Sequence, residues 1–242
     1  MRVLLQIPCL VEDCLPEIGL AAVAVLERLG FDVEHPVGQT CCGQLAYKTG
    51  DVSAARALAK RMFDLFPGPD PVVSPSGSCA KMLRTYPQLF RRGTTDYARA
   101  LELAGRTYEF CEFLASQPAM SRLSPTLRTR ACLHRSCQLD GSDAPARVLG
   151  QVRGLTLLDP ARPDRCCGFG GLFSVQFPSV SEALLEEKVD EILATQPDMI
   201  VTAEPSCLMN IGGYLARQGG KVPVLHAAQV LAKALGDSPW TA

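Results

Sequence analysis

The segment GQTCCGQ at residues 38–44 has a counterpart in CCGFGG at residues 166–171, so an adjacent pair of cysteines followed by glycine occurs twice in the chain. Each pair lies between two single cysteines, which are Cys9 and Cys79 in the first half and Cys137 and Cys207 in the second. Matching single cysteines are 128 positions apart, and the two pairs are 125 positions apart. Self-similarity at so constant a spacing indicates a duplicated structural unit.

Short apolar runs alternate with amphipathic stretches around these cysteines. Strands are predicted where aliphatic and β-branched residues cluster, at residues 2–8, 31–33, 71–74, 130–133, 155–158 and 199–202. Helices are predicted where apolar residues have helical spacing, at residues 16–29, 52–66 and 181–193 and in two tails at 108–117 and 222–235. Strands and helices that alternate at these lengths are typical of parallel α/β sheets.

The predicted fold is α/β, with two pseudo-symmetric Rossmann-like units that each contain a small parallel sheet flanked by helices. In such sheets, ligands gather at the loops that follow the carboxyl ends of the strands, and the cysteines fall in these loops. We place the boundary near residues 122–125, which gives a first unit at 1–124 and a second unit at 125–242.

The bulk composition argues against several classes of protein. A net charge of −1, from 24 basic and 25 acidic residues, gives no indication of a nucleic-acid or membrane-surface binder. No apolar run reaches the roughly 18 residues of a membrane span, and residues 1–14 do not resemble a signal peptide. Nucleotide-binding glycine motifs and a nucleophile elbow are absent. We therefore expect a cytoplasmic protein and predict no catalytic residue.

Eleven cysteines among 242 residues point to metal ligation or redox chemistry. Each half offers four thiolates, which suit zinc or an iron–sulfur cluster because soft sulfur ligands stabilise both. Structural zinc usually takes Cys-x2–4-Cys knuckles, whereas adjacent cysteines suit the separate iron atoms of a cluster. Adjacent cysteines can also form a vicinal disulfide or pack in a core, although two pairs in register argue against that.

Several segments resemble the Cys-Cys-Gly domain iron–sulfur family. Besides GQTCCGQ, they are SPSGSC at 74–79, HRSC at 134–137, CCGFGGLFSV at 166–175 and SCLMNIGG at 206–213. The family includes a cysteine-rich component of heterodisulfide reductase and the iron–sulfur proteins of glycolate and lactate oxidation. The chain is most similar to the lactate-utilisation members, along nearly its whole length.

The resemblance implies a non-catalytic electron-transfer subunit of a 2-hydroxy-acid oxidation system, acting on L-lactate or glycolate. It implies one or two iron–sulfur clusters per chain, which we expect to be 4Fe-4S. It also implies partners, namely the other subunits of the system, including a further iron–sulfur or flavin protein. The implied metal ligands are Cys9, Cys41, Cys42 and Cys79 for one centre and Cys137, Cys166, Cys167 and Cys207 for the other.

The chain departs from the heterodisulfide reductase pattern at two positions. Those relatives end each ligand set in Cys-x-x-Cys, whereas here Ser76 stands before Cys79 and Glu204 before Cys207. Five-cysteine ligation is therefore excluded, but an ordinary four-cysteine cluster is not. We interpret Ser76 and Glu204 as solvated loop residues near the site, with ligation through a side-chain oxygen as the alternative.

Three further residues are predicted to lie next to the metal ligands. Gly43 and Gly168 permit backbone N–H groups to approach an anionic sulfur centre closely. His134, three residues before Cys137, either donates a hydrogen bond to sulfur or moves a proton, or else is a satisfied loop residue.

The other cysteines and histidines are predicted to be structural. Cys14, Cys111 and Cys132 have no counterparts in the repeat and are expected to pack as small apolar groups. His226 falls in an apolar stretch and is predicted to be a core residue, whereas His35 is predicted to lie on the surface.

Two alternative functions stay open at the level of the sequence. A thiol–disulfide oxidoreductase would use one of the adjacent cysteine pairs as its redox pair. A structural zinc protein would bind the same thiolates and serve as an interaction module. Metal content and the response to a reductant distinguish these alternatives from an electron carrier.

Overall fold

The computed structural model describes residues 1–118 and 123–237. The elements of the first half are β1 (Arg2–Leu5), α1 (Cys9–Cys14), α2 (Pro16–Arg28), β2 (Asp32–Glu34), α3 (Gln44–Lys48), α4 (Val52–Leu65), β3 (Val72–Ser74), α5 (Gly77–Thr85), α6 (Thr95–Gly105), β4 (Thr107–Glu109) and α7 (Phe110–Ala115). Those of the second half are β5 (Thr126–His134), α8 (Ala144–Leu149), β6 (Arg153–Leu158), α9 (Phe173–Gln176), α10 (Pro178–Ala194), β7 (Met199–Thr202), α11 (Pro205–Arg217), β8 (Val224–His226) and α12 (Ala227–Ala234). None of the described helices is both long and apolar enough to cross a membrane.

Both halves have the same sheet topology. The strand order is β2-β1-β3-β4 in the first sheet and β6-β5-β7-β8 in the second. All neighbouring strands pair in parallel. The predicted fold of two Rossmann-like α/β units is therefore confirmed.

The inner strands of each sheet position the loops that carry the cysteines. β3 and β7 are entirely buried, because helices cover both faces of a parallel sheet. Each pairs with the first strand of its unit, Leu4 opposite Val72 and Ala131 opposite Met199. The carboxyl ends of β1, β2 and β3 therefore meet at one edge, as do those of β5, β6 and β7.

The predicted elements match the structure except in the two tails. Strands predicted at 71–74 and 199–202 correspond to β3 and β7, and the helix predicted at 181–193 corresponds to α10. The prediction of wholly helical tails is wrong, because each tail begins with a three-residue strand, β4 or β8, before its helix. Both strands run directly into the helix that follows, so no turn residue separates the strand from the helical pattern.

The tail helices hold the two units together. α12 of the second unit packs on α2 of the first, and α7 of the first packs on α8 of the second. One buried cluster accordingly contains Val25 from α2 and Val230 from α12. The predicted boundary after residue 124 adjoins residues 119–122, which lie outside the described part of the chain, as do 238–242. The boundary stays a prediction.

Candidate metal centre

Three strand ends bring four sulfur atoms together in the first unit. Cys9 begins α1 after β1, the pair Cys41 and Cys42 follows β2, and Cys79 lies in the first turn of α5 after β3. Cys42 Sγ donates a hydrogen bond to Cys79 Sγ at 3.5 Å. Cys41 forms hydrogen bonds with both Cys42 and Cys9. These four residues are in continuous contact, and we call them the first thiol set.

The second unit repeats this arrangement. Cys137 follows β5 in a short 3-10 helix, the pair Cys166 and Cys167 follows β6, and Cys207 lies in the first turn of α11 after β7. Cys167 Sγ and Cys207 Sγ are 3.1 Å apart, and Cys166 forms hydrogen bonds with Cys137 and Cys167. These four residues are the second thiol set. The structure thus brings together all eight cysteines that the sequence singles out.

Each thiol set has a buried end and an exposed end. In the first set, Cys42 and Cys79 are buried, Cys41 is half-buried and Cys9 is exposed, and the second set has the same gradient. A cavity of about 340 Å³, lined in part by Gln39, opens beside Cys9 and Cys41. Solvent therefore reaches the outer cysteines, while the protein shields the inner sulfur atoms.

Neighbouring thiols and burial shift pKa values in both thiol sets. Hydrogen bonds from Cys42 and Cys9 lower the pKa of Cys41 to about 2. The hydrogen bond with Cys41, contact with Cys79 and burial together raise the pKa of Cys42. At Cys167, the hydrogen bond with its neighbour in the pair lowers the pKa, but contact with the next thiol and burial outweigh it, so the pKa is raised. Closely spaced thiols of this kind release their protons when a cation binds.

A glycine follows each pair and turns its N–H group toward sulfur. Gly43 N donates to Cys41 Sγ at 3.4 Å, and Gly168 N donates to Cys166 Sγ at 3.4 Å. Both glycines have positive φ values, +85° and +83°. Glycine adopts this left-handed conformation without the strain that a side chain would add, so it suits the turn that follows each pair.

Side chains from the following helical segments anchor each pair through a backbone carbonyl. Tyr86 Oη donates to Cys42 O at 2.7 Å, and Asn210 Nδ2 donates to Cys167 O at 2.8 Å. Neither residue could be identified from the sequence, because a single tyrosine or asparagine near a helix forms no motif that marks it as part of a site. Asn210 lies in α11, the helix that carries Cys207, and Tyr86 directly follows α5, the helix that carries Cys79. These bonds therefore fix the backbone of each pair near the last cysteine of its set.

Lys188 places a buried positive charge near the second thiol set. Its Nζ donates to the carbonyl oxygens of Arg162 and Pro163 at 3.1 and 3.0 Å. Burial lowers its pKa, and its charge interacts with Cys167. Sequence reasoning missed this residue, although its helical spacing from Leu185 places it on the buried face of α10.

His134 lies buried beside the second thiol set, at the end of β5. One of its ring nitrogens, Cys167 Sγ and Cys207 Sγ all lie within 4.8 Å of one another. Burial lowers the pKa of His134 to about 3, so the ring is neutral. Neither ring nitrogen has a hydrogen-bond partner within the described residues. The alternative of a satisfied loop histidine is therefore wrong.

Ser76 and Glu204 lie between the two thiol sets. Both are buried, so the prediction of solvated loop residues is wrong. Ser76 Oγ donates to Glu204 Oε2 at 3.1 Å, and Ser78 N donates to the same oxygen at 2.8 Å. Ser206 Oγ donates to Glu204 Oε1 at 2.9 Å. The carboxylate therefore accepts hydrogen bonds from both units, since Ser76 and Ser78 belong to the first and Ser206 to the second.

The remaining cysteines and histidines lie outside both thiol sets. Cys111 and Cys132 are buried as predicted, whereas Cys14 is exposed, so its predicted core position is wrong. Cys14 ends α1, a six-residue helix with one buried residue, and this helix has little apolar surface to cover. His226 is buried and caps α12 by accepting from a backbone N–H, and His35 is exposed, both as predicted.

Comparison with known families agrees with the geometry. The sequence profile of the CCG cysteine-rich domain matches residues 3–84 and 131–212, the two segments that contain the thiol sets. The chain belongs to the CCG cysteine-rich domain family. The duplication inferred from the cysteine spacing is thus a duplication of the CCG domain.

Relatives in the CCG family match nearly the whole chain. Lactate utilization protein A of Bacillus cytotoxicus is 40% identical over 235 residues, which cover 96% of this chain and 98% of the relative. The protein of the same name from Geobacillus kaustophilus is 42% identical over the same lengths.

A solved structure shares the fold of this CCG chain. It is the crystal structure of a hypothetical protein from Helicobacter pylori, with a TM-score of 0.64 and 10% sequence identity. The match covers 97% of this chain and 49% of that one, so this chain spans about half the length of that structure. At this identity, the likeness concerns the fold alone.

Proposed function

We propose that the chain is an iron–sulfur electron-transfer subunit of a system that oxidises L-lactate, with one 4Fe-4S cluster in each unit. The observation that carries this proposal is the gathering of four cysteines at the same sheet edge in each unit, with 3.5 and 3.1 Å between the buried sulfur atoms. Relatives named for lactate utilization support lactate over glycolate. The proposed partners are the other subunits of that system, including a further iron–sulfur or flavin protein, in the cytoplasm.

The donor groups fit such a cluster. All eleven cysteines are free thiols, and four thiolates in one place need a cation to offset their charge. When bound, an iron–sulfur cluster supplies a reversible one-electron carrier. The ligands would be Cys9, Cys41, Cys42 and Cys79 in the first unit and Cys137, Cys166, Cys167 and Cys207 in the second.

Protein groups around the thiol sets would position and shield the metal. Tyr86 and Asn210 hold the two cysteine pairs in place, and the glycine N–H groups lower the cost of negative charge on sulfur. Because the inner cysteines are buried, water would be excluded from one side of each metal centre. The exposed Cys9 and Cys137 mark the side on which a partner would exchange electrons with the centres.

A structural zinc site in the second unit is a second candidate. His134, Cys167 and Cys207 place three ligand atoms within 4.8 Å of one another, close enough to bind one ion. Such a site would make the second unit an interaction module without redox activity.

Metal analysis of anaerobically purified protein, reconstituted with ferrous iron and sulfide, tests the proposal. We expect iron and acid-labile sulfide in equal amounts and a visible spectrum that bleaches with dithionite. Cys42→Ser should remove the iron of the first unit and Cys167→Ser that of the second. Cys14→Ser is the matched control, because Cys14 is exposed and lies outside both thiol sets, so this variant should keep all its iron.

Other outcomes would favour the alternatives. Zinc at purification, with no spectral change on reduction, would identify a structural site instead of an electron carrier. Protein that stays free of iron after reconstitution, and whose adjacent cysteines oxidise and reduce reversibly, would indicate thiol–disulfide chemistry.

A further inference from the structure

His134 is a buried histidine whose two ring nitrogens both lack a hydrogen-bond partner within the described residues. The side chain is 2% exposed, at the end of β5. A buried polar group without a partner costs free energy, because its hydration is lost and not replaced. A ligand bound to a ring nitrogen would supply the missing interaction and remove this cost.

The orphaned ring faces the inner end of the second thiol set. A ring nitrogen and the sulfur atoms of Cys167 and Cys207 lie within 4.8 Å of one another, and all three residues are buried. The hydroxyl of Thr202, on the neighbouring strand, accepts a hydrogen bond from Glu204 N at 3.3 Å, and among the described residues it forms no hydrogen bond with the ring. The ring nitrogen thus approaches two sulfur atoms, both of which already belong to the second thiol set.

The first unit has no such group at the equivalent position. There, 128 residues earlier, Gln6 is equally buried, but its side chain is fully engaged. Gln6 Nε2 donates to Ile7 O at 2.9 Å, and Gln6 Oε1 accepts from Ser74 Oγ at 2.7 Å. At this position, therefore, only the second unit has a side-chain atom that is free for ligation.

We propose that His134 is a nitrogen ligand of the metal centre in the second unit, beside Cys167 and Cys207. The proposal rests on the proposed function, since it takes an iron–sulfur cluster as the group that is bound. The two centres would then have different donor sets, sulfur alone in the first and sulfur with imidazole in the second.

Nitrogen hyperfine coupling tests this ligation directly. The protein is labelled with ¹⁵N-histidine in a Cys42→Ser background, so that only the second centre is loaded, and is reduced with dithionite for pulsed EPR. We expect coupling to a histidine nitrogen that His134→Gln abolishes and that the control His35→Gln preserves, because His35 is exposed. Glutamine is chosen because the first unit has Gln6 at this position.

Three results would decide between the two proposals. Iron and sulfide in the second unit without nitrogen coupling, or coupling that persists in His134→Gln, would overturn the ligation and leave the electron carrier intact. A chain that binds no iron would overturn both proposals. If His134→Gln does not fold, His134→Cys offers a thiolate at the same place; it should keep its iron and lose the coupling.

Discussion

Gly43 and Gly168 have nearly the same backbone conformation but very different surroundings. Their φ values of +85° and +83° lie in the left-handed region, where a side chain is strained. A Cβ added at Gly43 would lie 3.4 Å from Leu58 Cβ, an ordinary contact. A Cβ added at Gly168 would clash with the carbonyl oxygen of Ser181, which is a backbone atom and cannot shift without moving the chain.

Alanine at these two glycines should therefore have unequal effects. We expect Gly43→Ala to lower the free energy of unfolding by about 1–2 kcal/mol through backbone strain alone. Gly168→Ala adds a steric clash and should cost roughly 3 kcal/mol or more. Urea unfolding of both variants measures the difference. Equal losses would show that the clash at Ser181 is relieved without cost.

The cysteines could be found from the sequence, whereas the polar residues around them could not. Strand-end cysteines in a duplicated sequence converge because parallel strands end at a common edge. The burial of Ser76 and Glu204 arises from contact between the units, which neither repeat encodes alone. The sequence indicates that His134 is a neighbour of the site, but the lack of a hydrogen-bond partner within the described residues is visible only in the fold.

At the scale of elements, the two tail helices begin with equivalent caps of different chemistry. Glu109, at the end of β4, accepts from Glu112 N at 3.1 Å and starts α7. His226, at the end of β8, accepts from Ala228 N at 3.1 Å and starts α12. Both caps are fully buried. Burial raises the pKa of Glu109 to about 8 and lowers that of His226 to about 4, so both are neutral near pH 7.

The buried Glu109 should make stability depend on pH. From its ordinary pKa of 4.5 up to about 8, the folded chain holds a proton that the unfolded chain has released. The free energy of unfolding therefore falls as the pH rises through this window. Glu109→Gln cannot ionise. Its free energy of unfolding should therefore equal that of wild type near pH 4.5 and exceed it by on the order of 2 kcal/mol near pH 8.

Urea unfolding across this pH range checks the prediction about Glu109. Glu182→Gln, which changes an exposed carboxylate on α10, is the control and should show no growing difference from wild type. A constant offset between Glu109→Gln and wild type at all pH values would mean that Glu109 ionises normally in the folded chain.

Element prediction succeeded where a segment is long or carries a clear start signal. α4 begins after Asp51, which accepts from Ala54 N at 2.9 Å, and its apolar spacing continues for 14 residues. β4 and β8 were missed because each runs directly into the helix that follows it, so no turn separates the strand from the helical pattern. Their pairing depends on β3 and β7, so tertiary contact decides these elements and local pattern does not.

At the scale of the whole molecule, helix packing and a shared carboxylate are among the features that join the repeated units. The tail helices pack across the boundary, α12 on α2 and α7 on α8. Glu204 caps α11 through Ser206 N and also accepts from Ser78 N and Ser76 Oγ at the start of α5. A sequence repeat predicts that the two units have the same fold, but it does not predict which residues form the contacts between them.

Glu204 should accordingly support both thiol sets. It holds the starts of α5 and α11, and these helices carry Cys79 and Cys207 in their first turns. Glu204→Ala leaves several buried donors without an acceptor, and we expect it to lower the free energy of unfolding by about 2–4 kcal/mol. Glu182→Ala, at an exposed and weakly paired carboxylate, should cost about 0.5 kcal/mol or less.

The rate at which a chelator removes iron shows whether Glu204 supports both metal centres or only the centre of its own unit. In a Cys167→Ser background only the first centre remains, and in a Cys42→Ser background only the second. Glu204→Ala should speed iron loss in both backgrounds, because the carboxylate accepts hydrogen bonds from Ser78 N in the first unit and from Ser206 N in the second. Faster loss from the second centre alone would mean that Glu204 only caps its own helix and that the first unit holds the start of α5 unaided.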